Sequence, residues 1–131
     1  MAIYLYFDGE ARAALEYYAR IFQTPIEQLL TYGEMPEPPE QPSLHRRIMH
    51  GRISLPGQDI MVADSLEPGV LPDLSGFAIE LEFDNLDQAR RTHAALARDG
   101  EDTSGFGETF WGRGFGTCRD PFGVPWMINC D

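Results

Sequence analysis

Cysteine is scarce in this chain, with two in 131 residues. That is too few for a disulfide scaffold. The two are also badly placed to pair. A turn at Asp120–Gly123 joining antiparallel strands would set Cys118 opposite about Pro125 and Cys130 opposite about Arg113. Free thiols in a reducing, cytoplasmic compartment are expected. Basic residues are scarce too: ten against twenty-one acidic ones, a formal net charge of −11. That field repels nucleic acid and anionic membrane surfaces, and no basic stripe offsets it. No apolar run approaches the roughly 18–20 residues of a membrane span. The run beginning at Ile3 has no basic segment before it, so a first strand is expected there rather than a secretory leader. No Gly-rich phosphate loop, CxxC pair, GxSxG elbow or HExxH helix occurs.

What is present suits one globular domain: 43% of residues are hydrophobic, enough for a core. Ile3, Leu5 and Phe7 alternate with Tyr4 and Tyr6, which is strand periodicity. Asp8 or Gly9 is expected to end that strand and open a helix. Ala11, Ala14, Leu15, Tyr18 and Phe22 recur at helical spacing, and Pro25 is expected to stop the helix. Residues 26–32 read as a weaker strand. Pro36, Pro38, Pro39 and Pro42 keep residues 33–43 out of any ladder, leaving a solvated connector or a lid. Residues 47–55 and 58–64 read as strands around a Pro56-Gly57 turn. Residues 66–75 form a linker.

The pattern then restarts. Phe77, Ile79, Leu81 and Phe83 alternate with Ala78, Glu80 and Glu82. Asn85 with Gln88 suits a variant capping box. Leu86, Ala89, His93, Leu96 and Ala97 mark a helix face, with Gly100 at the expected C′ position. Three short strands are expected at about 102–108, 115–119 and 125–129. Strand–helix–strand–strand–strand thus occurs twice, in modules of about 1–65 and 76–131. This gives an α+β fold class: two paired βαβββ modules forming a cup-shaped mixed sheet, within a single domain of residues 1–131.

The final stretch carries the most specific pattern. Phe110-Trp111-Gly112 leads to Asp120-Pro121-Phe122-Gly123 and on to Asn129. Proline presets the first central torsion of the turn, and the Asp carboxylate accepts from the turn backbone. With the Asp8-Gly9-x-x-x-x-Ala14-x-x-Tyr17-Tyr18 start and the Ile48-Met49-His50 strand, it resembles the PhnB-like subgroup of the vicinal oxygen chelate superfamily. That superfamily includes glyoxalase I, bleomycin- and fosfomycin-resistance proteins and ring-cleaving dioxygenases. The resemblance covers nearly the whole chain. It implies the glyoxalase/bleomycin-resistance fold, small-molecule binding in a cupped sheet and a homodimer, with the cup formed within one chain or across two.

The resemblance also implies metal ligands on the first and last strand of each module, His or Glu for a divalent Zn, Mn, Fe or Ni. The matching positions here fall near Ile3, Met61, Phe77 to Ile79, and Met127. Apolar side chains and thioethers are poor ligands for such ions. The inherited metal site is expected to be lost or rebuilt, so no cofactor is expected, with a divalent metal as the alternative. A rebuilt site would draw on His50 and Glu80, as metal ligands or as acid and base. Against this, Glu80 and Glu82 fit a solvated sheet face, and His50 a satisfied surface histidine.

Other candidates weigh less. His45 is expected to be exposed in the proline-rich loop. His93 is expected as a partly buried structural histidine, and Asp64 as turn or cap chemistry. Cys118 reads as a small apolar filler. Tyr4, Tyr6, Phe110, Trp111, Phe115 and Trp126 form an aromatic set that could wall a small-molecule pocket or be plain packing. Trp111 is favoured as a wall, because Gly112 and Gly114 allow close passage of the backbone. The expected ligand-binding residues are Tyr4, Tyr6, His50, Trp111, Phe115 and Met127.

PhnB-like sequences often carry a demethylubiquinone methyltransferase label. Methyl transfer from S-adenosylmethionine usually calls for a larger α/β domain with a glycine-rich first turn, and neither is present. The leading expectation is a small-molecule binding protein without the inherited metal. A metal-dependent glyoxalase- or dioxygenase-like enzyme with relocated ligands and a non-catalytic interaction module are the alternatives.

Overall fold

The alternation of Leu5 and Phe7 with Tyr4 and Tyr6 becomes strand β1, Ala2–Phe7, with Leu5 and Phe7 buried and both tyrosines exposed. In this computed structural model, residues 2–71 and 74–131 are described. Pro72, assigned from the sequence to the linker, lies outside them. The chain divides into two compact units, residues 1–72 and 73–131.

In the first unit, β1 is followed by α1 (Ala11–Ile21), β2 (Ile26–Thr31), β3 (Ile48–Leu55) and β4 (Gln58–Asp64). The sheet order is β1-β4-β3-β2, with β1 parallel to β4 and the other pairs antiparallel. One face packs on α1, which buries Ala11, Ala14, Leu15, Tyr17 and Tyr18. Burying Leu15 fully is worth roughly 2 kcal/mol. A Cβ on Gly51 would lie 2.7 Å from Leu15 and 2.9 Å from Val62. Glycine at that point of β3 therefore sets how closely helix and sheet approach.

Two sequence expectations about α1 are corrected. Its N-cap is Glu10, without a side-chain cap bond, rather than Asp8 or Gly9. The carboxylate of Asp64, at the end of β4, accepts instead from Gly9 N–H at 2.8 Å and Ala11 N–H at 3.0 Å. Asp8 is drawn away, into an ion pair with Arg47 at 2.8 Å and a bond from Gly69 N–H. The helix also ends at Ile21, ahead of Pro25, because Gln23 turns left-handed at φ 51°.

The second unit repeats the plan. It comprises β5 (Ile79–Phe83), α2 (Leu86–Arg98), β6 (Glu101–Asp102), β7 (Gly114–Arg119) and β8 (Pro125–Cys130), in the order β5-β8-β7-β6. The Asn85 side chain caps α2 by accepting from Gln88 N–H at 2.8 Å. The Asp120 turn forms as its chemistry requires. Oδ1 accepts from Phe122 and Val124 N–H, and Oδ2 from the indole of buried Trp126 at 2.9 Å.

Three further expectations change here. The strand expected at 102–108 is only two residues long, with an isolated bridge from Gly107 to Phe115. The Asp102 carboxylate takes Gly105 N–H at 2.6 Å and turns the chain there. Gly100 is not a left-handed cap: a Cβ on it would collide with the carbonyl oxygen of Arg119, so it serves close packing. The cysteine register moves by one, Cys118 opposite Trp126 and Cys130 opposite Gly114, and both thiols are free. Among the described residues, no helix is long and apolar enough to cross a membrane.

Candidate functional site

In each unit one sheet face carries the helix, and strand register assigns the residues of the other. On the helix-free face of the first unit, Tyr4 pairs with Met61, Met61 with Arg52, and Leu30 with His50. His50 is held at both nitrogens. Nε2 is 3.0 Å from Gln28 Oε1, and Nδ1 is 3.2 Å from the Tyr4 hydroxyl. A carbonyl oxygen can only accept, so Nε2 donates and, in the neutral ring, Nδ1 accepts from Tyr4 O–H. The Tyr4 ring lies 5.1 Å from Tyr6 and 5.9 Å from His50, centroid to centroid. Partial burial pushes the Tyr4 phenol pKa up, aided by Tyr6 and Tyr32. Arg52 shares the face but is already engaged, with Asp59 at 2.6 Å and Glu27 at 3.5 Å.

On the helix-free face of the second unit, Glu80 pairs with Met127, Met127 with Thr117, and Glu82 and Phe115 with Asn129. Trp111 joins it from the preceding loop. Its indole donates to Asn129 Oδ1 at 3.2 Å, and its ring meets Phe115 edge-on at 5.3 Å and Phe110 at 4.8 Å. Trp111 is half-exposed and Phe110 almost fully so. Glu80 and Glu82 are hydrogen-bonded to each other. That bond, with the nearby Asp131 charge, raises the Glu82 carboxyl above its ordinary pKa.

The metal positions drawn from the sequence shift accordingly. Ile3 pairs with Ile60, in phase with buried Leu5, and Ile79 with Trp126; both belong to the helix-covered faces. The equivalent helix-free pairs are Tyr4 with Met61 and Glu80 with Met127. By the same register, His50 in the first unit corresponds to Phe115 in the second. Of the four side chains, two are thioethers and one is a neutral phenol, a set that does not fit a hard divalent cation. Within neither unit do the described residues gather three or more His, Cys, Asp or Glu placed to hold a metal.

The remaining candidates resolve as follows. Trp126 is fully buried and bonded to Asp120, so it leaves the aromatic wall and joins the core. His45 is half-buried rather than exposed, because Nε2 is 2.6 Å from the Pro39 carbonyl oxygen and ties the proline-rich loop to itself. His93 is buried with Nε2 donating to Thr117 O at 3.0 Å. Burial, with Asp120 and Asp102 nearby, pushes the Cys118 thiol up to about 12. Sequence reasoning missed Gln28 altogether and gave Asn129 no role beyond ending the terminal motif, because each acts on a side chain from another strand or loop.

Four matches to known proteins bear on this arrangement. A family model described as 3-demethylubiquinone-9 3-methyltransferase matches residues 1–129. Protein PA1353 from Pseudomonas aeruginosa is 33% identical, with TM-score 0.86 over 100% of this chain and 98% of that one. A PhnB protein from Bacillus cereus, titled a putative 3-demethylubiquinone-9 3-methyltransferase, is 23% identical, with TM-score 0.83 over 100% and 98%. A glyoxylase/bleomycin resistance protein/dioxygenase domain from Frankia sp. EAN1pec shares the fold at 13% identity, with TM-score 0.66 over 96% and 91%.

Proposed function

The chain belongs to the 3-demethylubiquinone-9 3-methyltransferase family, a PhnB-like group with the glyoxalase/bleomycin-resistance fold, and on that premise we propose that it binds a small molecule without the inherited metal. One observation carries the proposal. Both sheets turn aromatic rings and a few polar groups to the face away from the helix: exposed Tyr4 and Tyr6 beside His50 in the first unit, and half-exposed Trp111 with partly buried Phe115 beside Asn129 in the second. Rings with few, placed polar groups are how small-molecule sites are built.

Two points favour a metal-free site. The helix-free strand pairs, Tyr4 with Met61 and Glu80 with Met127, supply one carboxylate and no histidine. Both nitrogens of His50 already have partners, so His50 would have to surrender one to ligate a metal. The family name is not itself support for methyl transfer, since no glycine-rich turn follows β1 or β5 to cradle a nucleotide-like donor. The proposal includes a homodimer, which would cover exposed strand edges, and a reducing cytoplasmic setting, in keeping with two free buried thiols.

The test is a small-molecule screen read by indole fluorescence, paired with elemental mass spectrometry of untagged protein. Hits that quench wild type and lose their effect in Trp111→Phe support the reading. A stoichiometric divalent metal that is lost in His50→Ala or Glu80→Ala would replace it with the relocated-metal enzyme. A screen without hits, on protein without metal, would leave the interaction module.

A further inference from the structure

Gln28, His50 and Tyr4 stand in one hydrogen-bonded row across three strands of the first unit: Gln28 Oε1 to His50 Nε2 at 3.0 Å, and His50 Nδ1 to Tyr4 Oη at 3.2 Å. The row is directional. Gln28 fixes the imidazole proton on Nε2, leaving Nδ1 as a base aimed at the Tyr4 proton. With its proton given to His50, Tyr4 Oη keeps lone-pair capacity for a donor from outside. Tyr4 is 40% exposed and Tyr6 57%, with ring centroids 5.1 Å apart and planes 30° from parallel. Together they make an aromatic ledge beside the hydroxyl.

We propose that this row is a proton-accepting site for a flat, ring-bearing small molecule with an ionisable hydroxyl. The ligand ring lies on Tyr4 and Tyr6, and its O–H donates to Tyr4 Oη. As the ligand O–H bond breaks, its proton passes to Tyr4 Oη and the original Tyr4 proton passes to His50 Nδ1. The ligand becomes an oxyanion held by the renewed Tyr4 O–H, and His50 becomes an imidazolium held by Gln28. No other reactant is needed.

The charged groups around the row favour a ligand that arrives neutral over one that arrives anionic. Arg52, on the same strand as His50, is taken up by Asp59 from β4 and Glu27 from β2. A permanent anion would have to compete with the carboxylates of Asp59 and Glu27 for Arg52, whereas a hydroxyl that ionises on binding creates its counter-ion in His50. Besides His50, the phenols of Tyr6 and Tyr32 lie close enough to act on Tyr4.

This inference rests on the small-molecule reading above and is tested separately from it. The probe is 4-nitrophenol, whose phenolate has its own visible absorption. It is titrated just above the ordinary histidine pKa of about 6.5, where the free probe is still mostly protonated. Bound probe should show a larger phenolate fraction than free probe. Tyr4→Phe and His50→Gln should each weaken binding by about three- to tenfold, one hydrogen bond's worth, and abolish the phenolate gain. Tyr6→Ala should weaken binding and keep the gain. Equal phenolate fractions in wild type and His50→Gln would overturn the relay while leaving small-molecule binding in place. Absence of 4-nitrophenol binding would also overturn it, with the broader reading still judged by the fluorescence screen. Nitrogen-15 NMR of the unmodified protein gives an independent check. The neutral His50 ring should carry its proton on Nε2, and a proton on Nδ1 would overturn the proposal.

Discussion

Asp64, the last residue of β4, holds the first amide of α1: its Oδ1 lies 3.0 Å from the Ala11 nitrogen. The same carboxylate takes Gly9 N–H through Oδ1 and Ile48 N–H through Oδ2, at 2.8 Å each. One buried side chain thereby ties the loop into α1, the start of β3 and the end of β4. Removing it leaves three backbone donors without their acceptor. Asp64→Ala should cost about 3 kcal/mol or more of unfolding free energy, since each buried unmet donor costs about 1–3 kcal/mol. Asp64→Asn, which keeps one oxygen acceptor, should cost less. Urea denaturation of the two variants checks the order, and equal losses would show that a single retained acceptor rescues nothing.

Gly100 and Gly57 separate two uses of glycine. A Cβ at Gly100 runs into the backbone of Arg119 and Asp120, whereas at Gly57 it meets nothing within 4 Å and only the positive φ of 78° resists it. Gly57→Ala should cost about 1 kcal/mol, the expense of a left-handed alanine. Gly100→Ala should cost about 2–3 kcal/mol, because the obstacle is backbone rather than a yielding side chain. Thermal unfolding of the pair ranks them.

Acid and base shifts at two exposed carboxylates run in opposite directions. The Asp8 pKa is lowered, chiefly by the Gly69 N–H bond and then by Arg47. Its contribution to stability is present above the unfolded aspartate value of about 3.9 and is lost as pH falls through the lower folded value. The Glu82 pKa is raised, chiefly by its bond with Glu80 and then by Asp131. Its contribution is present below the unfolded glutamate value of about 4.3 and is lost as pH rises through the higher folded value. Carboxyl-carbon NMR titration should find Glu82 titrating last of the pair. Glu80→Gln should bring it back toward the ordinary range.

Thiol chemistry offers a test of burial. Cys118 is 1% exposed with its pKa pushed to about 12, and Cys130 is fully buried. Neither should react with iodoacetamide in the folded protein near pH 8, where the thiolate is the reactive form. Both should be alkylated once urea unfolds the chain. Intact-mass spectrometry counts the adducts, and labelling of Cys118 under native conditions would contradict its place in the core.

Much of the architecture could be read along the chain. Period-two alternation at Ile3–Phe7 and Phe77–Phe83, helical spacing from Ala11 and from Leu86, and the Asp120-Pro121-Phe122-Gly123 turn all depend on neighbours within a few residues. Those signals were enough for two βαβββ units and for free cysteines. The strand expected at 102–108 shrank to Glu101–Asp102 because an Asp102 side-chain bond outcompeted weak strand propensity. Trp126, which the sequence left open between pocket wall and packing, is core because its indole has a buried acceptor in Asp120.

Residue order alone thus determined most strands and both helices, and which tyrosines leave the core of β1, since these follow from local periodicity. Tertiary structure decided the rest. The pairing of Tyr4 with Met61 and of Glu80 with Met127 joins residues 57 and 47 positions apart. The bonds of His50 to Gln28 and Tyr4, and of Asp64 to Ala11, likewise join different elements. Such contacts are set by parallel register and by helix-on-sheet packing, which bring distant segments together at a cost in chain entropy that only the assembled core repays.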